Sequence, residues 1–226
     1  MRIAVISDIH GNLAALESVL ASIRNTGADK VICLGDIVGY GARPNECVDL
    51  IKDRKIPTVM GNHDQAAVGR GNLAYFNTYA RQAIIWTMTQ LKDEEKRFLS
   101  GLELTFKIDD MLFVHSSPDN TGDWNYIFTA ADAQRSFSAF QEPVCFIGHT
   151  HYPNIFYEEH GHRRLINVGS VGQPRDNNPQ ACWGQYDTST GEYRLMRVEY
   201  DVELAVKDIL DAQLPPFLAN RLLLGT

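Results

Sequence analysis

No stretch of this sequence comes near the roughly 20 consecutive apolar residues that a membrane helix needs. Positive charge is also in short supply: 21 Lys and Arg face 28 Asp and Glu, a formal charge of −7. That balance argues against broad electrostatic capture of nucleic acid or of an anionic membrane, while leaving a local anion site open. Cysteine is sparse. Cys33, Cys47, Cys145 and Cys182 are far apart and form no CxxC pair, so neither a disulfide framework nor a zinc finger is indicated, and four small buried side chains are expected. No Pro-, Gly- or Ser-rich linker, internal repeat or low-complexity segment divides the chain, so one domain over residues 1–226 is expected. The opening stretch reaches Asp8 after only a few apolar positions, too few for the core of a signal peptide. The expectation is a cytoplasmic, soluble protein.

What the chain does have is pattern. In the first third, Arg2 to Ile6, Lys30 to Leu34 and Ile56 to Met60 read as short strands ending in polar or glycine-rich residues. Leu13, Leu16, Val19, Leu20 and Ile23 recur at helical spacing, and Pro44 is placed to start the helix carrying Cys47, Val48 and Ile51. This βαβαβ order predicts parallel strands covered on both faces, with functional residues at their carboxyl ends. Residues 72–101 read as a helical cover, with a short second segment from Asp93 ended by Gly101. The pattern then shifts to strands near 104–108, 111–115, 144–147, 154–157, 164–168, 181–186 and 193–200, with a helix near 130–140. Hairpins turning at Asp109-Asp110 and Glu159 to His162 indicate antiparallel pairing in this half. A two-sheet α/β sandwich accommodates both halves better than one flat sheet. Residues 202–226 form a closing segment of two helical pieces divided by Pro215-Pro216, and Leu222 to Leu224 are an alternative subunit contact should the chain form a homo-oligomer.

Five separated peptides carry the chemistry: Asp8-Ile9-His10-Gly11-Asn12, Gly35-Asp36-Ile37-Val38-Gly39-Tyr40-Gly41, Gly61-Asn62-His63-Asp64, Val114-His115-Ser116 and Gly148-His149-Thr150-His151. They hold five of the seven histidines, set at the ends of apolar runs rather than on a charged helix face. Clustered carboxylate and imidazole donors without cysteine suit divalent ions such as Mn, Fe or Zn.

In that order and spacing the peptides resemble the D-x-H, G-D, G-N-H-[DE], H and G-H-x-H pattern of the calcineurin-like metallophosphoesterase superfamily, in particular its small bacterial and archaeal phosphodiesterase branch. The resemblance covers residues 1 to about 175. It implies a four-layer αββα sandwich with two central mixed sheets, and two divalent metal ions. Carried over residue by residue, it puts Asp8, His10 and His151 on one ion, Asn62, His115 and His149 on the other, and Asp36 between them. It implies hydrolysis of a phosphodiester by metal-activated hydroxide, with His63 stabilising the transition state or protonating the leaving oxygen and Asp64 orienting His63. Mn²⁺ or Fe²⁺ suit the donors best, and Zn²⁺ or Ni²⁺ also satisfy them. Phosphomonoesterase or protein phosphatase, dinucleoside-polyphosphate hydrolase and a metal-bound protein scaffold are the alternatives.

Other residues keep two readings. Asn12 either donates to a phosphoryl oxygen or caps the helix that starts at Leu13. Asp64 either orients His63 or stabilises its own loop. Arg175, in the tract from Asn167 to Asp176, either binds a remote phosphate through its planar fork or pairs with Asp176 at the surface. His160 and His162 read as a solvent-exposed turn. Trp86, Trp124 and Trp183, with Tyr126 and Phe128, read as core, with an aromatic wall for a nucleotide as the alternative. The substrate implied is a small phosphodiester or other phosphoester, with no membrane partner.

Overall fold

The computed structural model describes residues 1–226. In chain order the elements are β1 (Arg2–Ile6), α1 (Leu13–Thr26), β2 (Lys30–Cys33), α2 (Pro44–Asp53), α3 (Asn62–Ala67), α4 (Thr78–Gln90), α5 (Asp93–Ser100), β3 (Thr105–Ile108), β4 (Met111–Val114), α6 (Ala130–Ser136), β5 (Val144–Ile147), β6 (Asn154–Tyr157), β7 (Arg164–Asn167), β8 (Ala181–Asp187), β9 (Glu192–Val198), α7 (Val202–Asp211) and α8 (Pro216–Leu224). One sheet runs β2-β1-β8-β9 and the other β3-β4-β5-β7-β6. Both are mixed. β1 and β2 are parallel while β8 is antiparallel to β1, and β4, β5 and β7 are parallel between antiparallel edges.

Strand periodicity explains the layering. Successive side chains point to opposite faces, so Ile3 and Val5 meet Phe113, Phe146 and Ile166 between the sheets, while Ala4 and Ile6 face Leu16, Val19, Val48 and Ile51 on α1 and α2. In the second sheet Met111, Phe113, Val144 and Phe146 point inward, and Leu112, Val114, Cys145 and Ile147 point out to Ala133 and Phe137. The result is an α/β sandwich with two central mixed sheets flanked by helices. A fourth cluster joins α4, α7 and α8 through Ala80, Ala83, Ile209, Leu214, Leu218 and Leu222, with Tyr40 among them.

Two elements differ from the sequence reading. Ile56 to Met60 pairs only through the isolated bridges Cys33–Thr58 and Val59–Glu103. Pro57 has no N–H for a ladder, and its carbonyl accepts from Cys33 N at 2.9 Å. Residues 62–67, expected as loop, form α3. All four cysteines are free and buried. His160 and His162 are exposed in the β6–β7 turn, and Leu223 and Leu224 are exposed while Leu222 is buried. No helix is long and apolar enough to cross a membrane.

Candidate metal centre

The carboxyl ends of β1, β2, β4 and β5 open onto one edge of the sandwich, and the loops there are zipped together by backbone hydrogen bonds. Asp8 N donates to Gly35 O (3.0 Å), His10 N to Asp36 O (2.9 Å) and Gly11 N to Ile37 O (2.8 Å). Asp8, His10, Asp36, His149 and His151 all have positive φ, between 51° and 67°. Such left-handed backbone is costly for residues with a Cβ and clusters at functional sites. Gly61 lets the α3 loop approach Asp36: a Cβ there would lie 2.1 Å from Asp36 Oδ1.

These loops bring six of the seven residues expected as ligands, all but Asn62, into one buried cluster. Asp8, His10 and His151 form one group with donor atoms within 4.8 Å of one another, and Asp36, His115 and His149 form another. Asp36 Oδ2 is 3.6 Å from His10 Nε2 and 3.4 Å from His115 Nε2, so its carboxylate faces both. Asn62 is the first residue of α3, its Oδ1 buried without a partner.

The donor set fits a cation at each group. His10 Nδ1 lies 3.1 Å from Val38 O, His151 Nδ1 2.6 Å from Gln173 O, His115 Nδ1 2.7 Å from Leu34 O, and His149 Nε2 2.9 Å from Trp124 O. A carbonyl accepts only, so each of these contacts places the proton on that nitrogen and turns the lone pair of the other nitrogen inward. The inward nitrogens then face each other in pairs, His10 Nε2 and His151 Nε2 at 3.1 Å, and His115 Nε2 and His149 Nδ1 at 3.2 Å. Two lone pairs at 3.1 Å repel unless a cation joins them, and the 3.2 Å pair is held either by a metal ion or by a proton on His115. Asp8 Oδ1, buried and unpartnered, adds an oxygen donor beside the first pair.

Electrostatics agree. Burial opposes ionisation of Asp8 and Asp36, but the surrounding imidazoles outweigh it and hold both carboxyls below the usual range. Burial pushes His149 and His151 down to about 3, reinforced by His115 for the first and Arg175 for the second. At His115 burial is overcome by Asp36 and Asp8, and its pKa rises to about 9.

His63 follows Asn62 on α3. Its backbone N–H donates to Asp36 Oδ1 at 2.8 Å. Its ring packs 4.7 Å from that of His10, 4.5 Å from Tyr40 and edge-on to Phe76 at 5.0 Å, with Nδ1 buried and unpartnered. It also forms a group with His10 and Asp36 that sequence reasoning did not foresee.

Asp64 does not bond to the His63 ring; of its two readings its bonds follow the loop-stabilising one. Its Oδ1 accepts from Ile37 N and Val38 N (2.9 and 3.2 Å) and its Oδ2 from Gly61 N (3.1 Å). Burial, reinforced by Asp36, raises its pKa to about 7. Asn12 caps α1, its Oδ1 accepting from Ala15 N at 3.1 Å, and its Nδ2 donates to Gly172 O at 2.9 Å. Arg175 is not paired with Asp176, which bonds Arg197 instead. Arg175 reaches the Tyr40 hydroxyl at 3.3 Å and Gln173 Oε1 at 3.0 Å.

Sequence reasoning missed the supporting frame. Ser170 Oγ donates to Asp8 O, and Asn167 Nδ2 to Gly148 O. The glycine-serine tract after β7 thus holds the ligand loops. Trp183 is core and Trp124 supplies the carbonyl behind His149, whereas Tyr126 and Phe128 are half exposed. Tyr126 stacks on the His149 ring at 4.0 Å, and Phe128 on Tyr126 at 5.4 Å.

Two imidazole–carboxylate groups facing one shared aspartate at the strand ends of a two-sheet sandwich are the apparatus of a metal-dependent phosphoesterase. A model of the calcineurin-like phosphoesterase superfamily domain matches residues 1–191, and the chain belongs to that superfamily. It is 41% identical over 240 aligned positions to an uncharacterised protein of Methanocaldococcus jannaschii, covering 99% of this chain and 98% of that one. The crystal structure of a metallophosphoesterase from Sphaerobacter thermophilus superposes with a TM-score of 0.88 at 39% identity, covering 100% and 99% of the two chains. Phosphodiesterase YfcE of Escherichia coli K12 is 27% identical over 197 positions, covering 83% of this chain and 88% of its own.

Proposed function

We propose that this protein is a dinuclear metal-dependent phosphodiesterase. The carrying observation is the pair of converging imidazole lone pairs on either side of Asp36. In this reading Asp8, His10 and His151 hold one ion, Asn62, His115 and His149 hold the other, and Asp36 serves both. Mn²⁺ or Fe²⁺ are the proposed occupants, because the set contains only oxygen and imidazole donors. When bound, such ions polarise phosphoryl oxygens and lower the pKa of water for in-line attack.

The chain's own residues supply the rest. His63 offers a ring nitrogen to a substrate oxygen, its position fixed through the Asp36 contact to its backbone and the Tyr40 and Phe76 walls. Asp64 is a positioning residue that ties the β2 loop to α3. Asn12 and Gly172 fix the loop after β1, and Arg175 contacts a remote part of the substrate. A diester rather than a monoester is supported by two flanks: Tyr126 and Phe128 lie beyond His149, and Tyr40 and Arg175 lie beyond His10 and His63. A phosphodiester has two organic arms to place on them. The named activity of the E. coli relative supports the same reading. Four buried free thiols support a reducing, cytoplasmic setting.

The test is hydrolysis of bis(p-nitrophenyl) phosphate against p-nitrophenyl phosphate by metal-stripped protein reconstituted with Mn²⁺, Fe²⁺, Zn²⁺ or Ni²⁺. A higher kcat/KM for the diester is expected, and a monoester preference under every ion would overturn the proposal.

A further inference from the structure

The carbonyls behind the four imidazoles do not all come from the same part of the chain. His10, His115 and His151 each present Nδ1 to a carbonyl, of Val38, Leu34 and Gln173, and turn Nε2 inward. His149 is reversed. Its Nδ1 faces His115, and its outward nitrogen is Nε2, 2.9 Å from Trp124 O. Nε2 lies at the tip of the ring, farther from the backbone than Nδ1, so its carbonyl is supplied by a separate strap, residues 117–129 between β4 and α6.

Both ends of the strap are anchored. Ser117 Oγ and Ser136 Oγ donate to Asp119 Oδ1, the second at 2.7 Å. Ile127 is buried in the cluster that contains Val114, Ala133 and Ile147. Between these anchors Asn120 and Trp124 hold positive φ, 52° and 58°. Left-handed backbone is uncommon for so bulky a side chain, and such outliers cluster where function constrains the chain.

The side chain of Trp124 serves the same group as its carbonyl. Indole Nε1 donates to Gln65 Oε1 at 3.3 Å. Gln65 stands on α3 three residues after Asn62, so both lie on neighbouring turns of one face. The indole also meets the His115 ring edge-on, with centroids 5.9 Å apart. Trp124 therefore touches His149, His115 and the helix that carries Asn62. It makes no hydrogen bond or ring contact to Asp8, His10 or His151.

We infer that Trp124 is a positioning residue for one ion only, holding Asn62, His115 and His149 as a unit and setting the affinity of that group apart from that of Asp8, His10 and His151. The inference rests on the two-ion reading proposed above. Groups that orient metal ligands are worth about 10- to 100-fold in metal affinity.

Calorimetric titration of the metal-stripped full chain with Mn²⁺ tests this. The wild type is expected to bind in two steps. Trp124→Phe keeps the carbonyl and an aromatic ring but removes the N–H. One step should then weaken by about tenfold, while the other stays within about twofold. Gln65→Leu breaks the same bond from α3, which covers a misfolded Trp124 variant, and should have the same effect. Combining the two should cost no more than either alone. Electron paramagnetic resonance at two Mn²⁺ per chain gives a second readout: an exchange-coupled pair in the wild type, and isolated ions in the variants at protein concentrations near the weaker Kd.

Equal weakening of both steps, the result of a general loosening of the fold, overturns the inference, as does weakening of neither. In a His149→Ala background, adding Trp124→Phe should leave the remaining ion within about twofold, and a further tenfold loss also overturns it. A wild type that binds a single ion refutes the dinuclear proposal instead. The positioning role then stands only if that ion is lost in His149→Ala and weakened in Trp124→Phe, and falls otherwise.

Discussion

Gly61→Ala should separate the fold from the metal centre. An alanine Cβ would sit 2.1 Å from Asp36 Oδ1, 2.4 Å from Asp36 N and 2.7 Å from Asp36 Cγ. No flexible chain end can yield there, so either the Asp36 carboxylate or the α3 loop must move. Movement breaks the 2.8 Å bond from His63 N to Asp36 Oδ1 and pulls the carboxylate from its place facing both groups. Overpacking costs about 1–3 kcal/mol, and a lost hydrogen bond to a charged acceptor about 1.5–3 kcal/mol, so a total of about 2.5–6 kcal/mol is expected. For a chain of 226 residues the unfolding entropy near Tm is about 0.5 kcal/mol/K, which translates to a drop of about 5–12 °C. Gly27→Ala is the control: unlike Gly61, which is extended at φ −98°, it sits at positive φ, 66°, and has no atom within 4 Å of the added carbon. It should lose only the about 1–2 kcal/mol of left-handed strain, or about 2–4 °C. Calorimetric Tm and metal content by plasma mass spectrometry are the readouts. A Gly61→Ala protein holding two ions per chain with a Tm no lower than the control would refute the assignment of Asp36 as the shared ligand.

Asp36→Asn should weaken metal binding at both groups, whereas His63→Ala should keep most of the metal and lose about 10²- to 10⁴-fold in turnover. Equal metal loss in the two variants, measured by titration beside activity, would sink that division of roles. Metal binding should release close to one proton at pH 7.5: with its pKa near 9, the metal-free His115 is protonated, and it must be neutral to coordinate. Titrations in buffers of different ionisation enthalpy read the proton count, and its absence would contradict the electrostatic reading. Stripping the metal should lower Tm without abolishing cooperative unfolding. Ions at 100 times their Kd add about 2.7 kcal/mol per independent site, or about 6 °C here. A metal-free chain without a cooperative transition would show that the strand-end loops do not hold themselves.

What could be read in the sequence was whatever has a local signature. The unbroken apolar run of β1 and the spacing of Leu16, Val19, Leu20 and Ile23 on α1 report burial directly, and the ligands are legible because they occur as short polar peptides after apolar runs. α3 escaped detection because its six residues have no room for an apolar period. It is set by a local cap, from Gly61 N to the Asp64 carboxylate, and by a tertiary bond from His63 N to that of Asp36. Of the two readings of Asp64, adjacency favours neither: as the third residue of α3 it turns back to the free N–H of Gly61 and across to Ile37 and Val38, which is the loop-stabilising one. The groups orienting the imidazoles are backbone carbonyls of Val38, Leu34, Gln173 and Trp124, and a carbonyl carries no residue identity to read.

The left-handed residues explain why the centre is built where the parallel strands end. Five of the seven proposed ligands hold positive φ, at a cost of about 1–2 kcal/mol each. An isolated loop would relax out of such conformations. Here each loop is fastened to its neighbour: Asp8 N to Gly35 O and His10 N to Asp36 O on one side, Val171 N to Ser7 O and Gly172 N to Asp8 O on the other. The strain is therefore borne by the backbone network of the two sheets, and the imidazole and carboxylate donors converge without an ion having to gather them. Because the donors are already in place, little ordering entropy opposes metal binding. The same network makes the centre sensitive to substitutions such as Gly61→Ala that replace no residue proposed to coordinate or react.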